Sequence, residues 1–133
     1  MGLADGTTTG IGLSLALYIA HQPHLAVWLA GLSGGLAAFP GMASGRYQSD
    51  PGDGVSGAAV CGLATTAGSV LVALPFAVAS GRAALLASGL ATLALCSVVA
   101  VIRETPGWQA WALSYGITVA AAGLCIGAGL LTG

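Results

Sequence analysis

Two residues in this sequence carry chemistry that suits a metal cation, and both lie in apolar surroundings. Asp5, in GLADGTTTG, is a carboxylate at the start of the first oily segment. Met42, in GMASGRYQSD, is a thioether at the point where the second oily segment gives way to a polar loop. A carboxylate oxygen is a hard ligand and a thioether sulfur a soft one, so the two together can face one metal cation. Just before Met42, Pro40 takes away the amide that the carbonyl of Leu36 would accept from, and Gly41 lets the chain bend, so free carbonyls add oxygen ligands there. Each residue also has a plainer use. Asp5 can cap the first helix, accepting from the amides of Thr7 or Thr8 at the positive end of the helix dipole. Met42 can fill a gap in packing, with PGMASG as a helix end.

The elements that must position them follow from composition. The chain has 133 residues, 56% hydrophobic and 5% charged, with a mean hydropathy of +0.93, against about one-quarter charged residues in a soluble domain. It reads as an all-α polytopic membrane protein. A span needs about 20 helical residues, and the charges and prolines divide residues 1–133 into five such stretches, near 3–20, 24–43, 55–79, 83–102 and 108–131. The loops between them are too short for a soluble domain, which leaves a single transmembrane domain. The first two spans form an antiparallel hairpin turning at HQPH, which sets Asp5 and Met42 within about 3 Å of each other along the axis.

Lysine is absent, and three arginines face four acids for a net charge of -1, so no basic face exists for nucleic acid. Arg46 and Arg103 fall on one side of the bundle and Arg82 on the other. The positive-inside rule then puts the amino terminus and the loop 44–54 in the cytoplasm and the carboxyl terminus on the opposite side. Tyr18 and Trp28 sit at the outer boundary, and Tyr47, Trp108 and Trp111 at the inner one. No basic n-region precedes the first oily segment, so that segment is expected to stay in the protein. Cys61, Cys96 and Cys125 have no CxxC spacing and read as small buried hydrophobes. Glycine pairs four apart, Gly6 and Gly10, Gly31 and Gly35, Gly41 and Gly45, Gly123 and Gly127, predict close packing of the first, second and fifth spans.

Weaker candidates remain. His21 and His24 flank the first turn and suit either an interfacial turn or a leaving metal. Thr65, Thr66 and Ser69 either line a path or bond their own backbone. Pro75 should bend the third span. Trp108, Trp111 and Tyr115 share one helix face, as an interfacial anchor would.

GLADGTTTGIG at the first span and GMASGRYQS at the end of the second resemble the vacuolar iron transporter family, in which NDG followed by threonines opens helix 1 and a motif close to SMAxGEYxS ends helix 2. The resemblance extends loosely over the chain, through five helices and the proline-bearing LVALPF at 71–76. It implies a homodimer that moves ferrous iron or manganese out of the cytoplasm in exchange for protons, along a path at the dimer interface. Asp5 and Met42 would then be metal ligands, and the metal a substrate, with no resident cofactor. Two departures stand out: Arg46 replaces the motif's glutamate, and the glutamate-rich cytoplasmic metal-binding domain between helices 2 and 3 is missing. Arg46 is expected to pair with Asp50 or Asp53 in its own loop, or with Asp5 across the hairpin.

The expectation is therefore a small transporter of divalent transition metal, in contact with membrane lipid and working as a homodimer. The alternative is a non-transporting integral-membrane scaffold or subunit. An enzyme is not expected, because no nucleophile and base and no pair of acids occur at workable spacing.

Overall fold

The computed structural model describes residues 2–102 and 107–132. Arg103, on which the expected orientation partly rests, lies outside the described residues, as do Glu104, Thr105 and Pro106. The described chain is all helical: α1 (Gly2–Ile19), α2 (His24–Ser49), a 3-10 turn (Pro51–Asp53), α3 (Gly54–Ala73), α4 (Pro75–Val78), α5 (Gly81–Ile102) and α6 (Gly107–Thr132). Four stretches are long and apolar enough to cross a membrane: α2, α3 with its preceding turn, α5 and α6. A multi-pass integral membrane protein follows from these four. α1 carries Asp5 and Thr7 to Thr9 in its first half and is not among them.

Boundaries fall close to expectation, with two differences at prolines. α2 was expected to stop near residue 43 but runs to Ser49 with Pro40 inside it. Losing one amide removes a single ladder bond, and the helix beyond is held by its remaining bonds and by Ser44 and Ser49, whose hydroxyls donate to the carbonyls of Gly41 and Arg46. PGMASG is thus helix interior. At Pro75 the reverse holds: α3 closes at Ala73, and Pro75 opens the separate one-turn α4.

α3 is the packing centre, and glycine makes it so. Gly2 lies against the carbonyl of Cys61, Gly6 against the backbone of Thr65 and Gly10 against Ser69, a constant offset that means α1 and α3 run parallel at backbone contact. From the other side Gly31 meets Ala73, Gly35 meets Ser69 and Thr66, and Phe39 covers Gly62, so α2 is antiparallel to α3. Without a hydrophobic force between helices in lipid, such close approach is what gains dispersion and lets polar groups meet. Here they do. Ser69 Oγ donates to the Gly31 carbonyl at 2.8 Å, and Thr66 Oγ1 to the Gly35 carbonyl at 2.9 Å. These hydroxyls fasten α2 to α3, while Thr65 bonds its own helix at Cys61.

The expected glycine packing of spans one, two and five is realised only in part. Gly6, Gly10, Gly31 and Gly35 all face α3, whereas Gly41, Gly45, Gly123 and Gly127 face open space. α6 lies parallel to α1, with Gly12 against Cys125 and Gly129 against Ala16, and antiparallel to α5 through Cys96 with Thr118 and Ser97 with Tyr115. Gly2, Tyr47 and Trp108 therefore lie toward one end of the bundle, and Tyr18, Trp28 and Phe76 toward the other. There Val27, Phe76 and Ala84 form a small apolar core against Leu17, Tyr18 and Trp28. All three cysteines are free, Cys96 buried and the others half-buried.

Candidate functional site

α1 begins at Gly2, so Asp5 lies inside the first turn and is not the residue that caps it. The helix dipole still favours a negative charge there. With Gly2, Gly6 and Gly10 turned toward α3, helical periodicity points Asp5 away from α3, and its side chain is exposed. It has no hydrogen-bond or ion-pair partner among the described residues. Asp5 stands beside a cavity of about 50 Å³ walled by α1, α5 and α6. Thr7, Thr8, Cys96, Ser114 and Thr118 supply the polar part of the lining, and Val99 and Ile117 part of the apolar remainder.

The protons in this cavity are mostly committed. Thr7 Oγ1 donates to the Leu3 carbonyl at 2.8 Å, Thr8 Oγ1 to that of Ala4 at 2.9 Å and Thr118 Oγ1 to that of Ser114 at 2.8 Å. Because the Thr118 proton is used in this way, the 3.3 Å contact between Cys96 Sγ and Thr118 Oγ1 has the thiol as donor. Each threonine thus turns lone pairs, not a proton, toward the space around it. Ser114 is the exception: it is 6% exposed and its hydroxyl has no partner. Ser14 and Ser88, both fully buried, are also unpartnered.

Met42 is half-buried on α2, outside the lining of this cavity. Reading depth across α3, Gly6 lies at Thr65 and Phe39 at Gly62. Asp5 is thereby level with Ala64 and Met42 with Ala59, which sets Asp5 about 7.5 Å deeper, more than one turn. The two expected ligands stand in sequence along the bundle, the thioether nearer the end. Arg46 takes the first of its expected arrangements: its guanidinium pairs with Asp53 and, at 3.4 Å, with Asp50. One cation against two carboxylates leaves this cluster with one net negative charge. Beside the pair is a wider opening of about 420 Å³, lined by Gly2, Arg46, Asp53 and Cys61 among others.

At the far end, His21 and His24 line an opening of about 580 Å³ with Tyr18, Gln22 and Ser80. His24 Nδ1 lies 3.0 Å from the Phe76 carbonyl, an acceptor only, so Nδ1 carries the proton and ties the start of α2 to α4. His21 takes a left-handed backbone at φ 54, which closes the turn before Pro23. On the α6 face, Trp111 stacks on Tyr115 with centroids 5.8 Å apart. Tyr115 in turn meets Ser97 Oγ at 2.8 Å.

Sequence reasoning singled out Asp5 and passed over its neighbours on α5 and α6. A signal existed: Ser88, Thr92 and Cys96 repeat every four residues in α5, and Ser114, Thr118 and Cys125 share one face of α6. Among the described residues no three His, Cys, Asp or Glu side chains gather as a metal cluster. Comparison with family models, curated proteins and solved structures gives no match to this chain.

Proposed function

We propose that the chain is a membrane transporter of a divalent transition-metal ion, ferrous iron or manganese, with Asp5 and Met42 as successive ligands. The observation that carries the reading is Asp5 itself, a carboxylate without a basic partner among the described residues, set in a helix packed backbone to backbone against a candidate span. Such an acid is costly in a membrane and has use chiefly as a binder of cations. The closure of Arg46 onto Asp50 and Asp53 supports it, since the permanent positive charge at the end of α2 is compensated locally and does not repel an arriving cation. Met42, nearer that end, meets the ion first, and Asp5 receives it more than one turn deeper.

On this reading α1 is a fifth span, lying along α3 despite its polar first half. Asp5 is exposed on the flank of one copy, and Gly41 and Gly45 are open on α2. A second copy across that flank would shield the carboxylate from lipid, giving a homodimer with the path at its interface. The end bearing Arg46 faces the cytoplasm, and export follows from loss of the ion at the opposite side.

The test is binding before transport. Purified chain in detergent should gain thermal stability with manganous ion in a saturable way. At a concentration 100 times the dissociation constant the gain is about 2.7 kcal/mol, a rise of several degrees in Tm. No rise at millimolar ion, together with no manganese flux in proteoliposomes, would support a scaffold and end the transporter reading.

A further inference from the structure

We infer that the small cavity between α1, α5 and α6 is a binding site for a sodium ion, held by the Asp5 carboxylate with the hydroxyl oxygens of Thr8, Ser114 and Thr118. The site is defined by what its atoms can still do. Thr8 and Thr118 have each donated their proton to a carbonyl four residues earlier, at 2.9 and 2.8 Å, so toward the cavity they act through lone pairs, as cation ligands do. Cys96 has given its proton to Thr118 and offers no thiolate. Ser114 Oγ, 94% buried by its 6% exposure, is aimed at this space with nothing to bond. A buried hydroxyl left without a partner is costly unless a ligand completes it.

Charge and size narrow the ion. Asp5 brings one negative charge, and the remaining groups are neutral oxygens. A monovalent cation is balanced within the cavity, whereas a divalent ion keeps one positive charge and is better met on the exposed side of the Asp5 carboxylate. The lining has hard oxygens and no free soft ligand, which disfavours late transition metals and favours an alkali ion. A cavity of about 50 Å³ has room for one small ion with a water or two. Buried Ser88 and Thr92 continue the hydroxyl face of α5 from this cavity toward the far end.

The inference rests on the transporter reading in one respect, the sharing of Asp5. If Asp5 serves both ions, they exclude each other, and sodium replaces the proton as the ion exchanged for metal.

The experiment measures Tm of the purified full-length chain in detergent against sodium chloride, with choline chloride keeping ionic strength constant, and with lithium and potassium chlorides in parallel. A saturable rise with sodium and none with choline or potassium is expected. Ser114→Ala, which removes an unpartnered hydroxyl and should fold at least as well as the parent, should raise the half-saturating sodium concentration about tenfold. Asp5→Asn should abolish the response, and added manganous ion should compete with sodium. Equal Tm in sodium and choline, or an unchanged half-saturation in Ser114→Ala, overturns the site. Manganese flux with no sodium response removes this site alone. A sodium response without flux removes the metal-transport reading and leaves the site standing.

Discussion

Asp5→Asn should abolish manganese or ferrous-ion flux into proteoliposomes while leaving the protein folded. The substitution keeps the shape of the side chain and removes its charge. Asp5 is exposed and makes no described hydrogen bond or ion pair, so only its small attraction to the helix dipole is lost, against the relief of an unpaired acid. Stability should stay level or rise. Function should fall steeply, because a neutral amide cannot offset the charge of a dehydrated divalent ion. The measurement pairs initial flux with Tm of the same preparation. Flux equal to the parent's would take Asp5 out of the mechanism, whatever the stability.

The second large effect is structural. At Gly6 an added Cβ would meet the backbone of Thr65, which cannot swing aside as a side chain would. Alanine in place of glycine gains about 1 kcal/mol of helix propensity. Forcing two packed backbones apart costs about 3 kcal/mol, so Gly6→Ala should destabilise by about 2 kcal/mol. Gly123→Ala, where a Cβ meets open space, should be neutral or mildly stabilising. Comparing the two in a detergent unfolding titration separates helix propensity from packing. Equal stabilities would mean that α1 is not seated against α3 as described.

Hydropathy made the helical spans legible because apolar length is a property of each segment alone. The prolines show its limit. Pro40 and Gly41 read as an ending, yet α2 continues to Ser49 because one missing amide is a local loss that neighbouring bonds absorb. Pro75 does end a helix. The residue is the same in both places and the surroundings decide. Glycine spacing announced close packing but not its partner: four glycines converge on α3, which has no pair in the expected set. As for the site, Asp5 stood out because an acid is rare in such a chain. Ser114 and Thr118 did not, because hydroxyls in apolar helices commonly bond their own backbone, and only the approach of α6 to α1 brings them to the carboxylate.

The three free thiols give the molecule a built-in compass. Cys96 is buried, while Cys61 borders the opening shared with Gly2, Arg46 and Asp53. A maleimide too polar to cross a bilayer can label Cys61 only from the compartment into which that opening faces. In sealed vesicles of known sidedness, the native chain therefore registers its own polarity without an introduced tag.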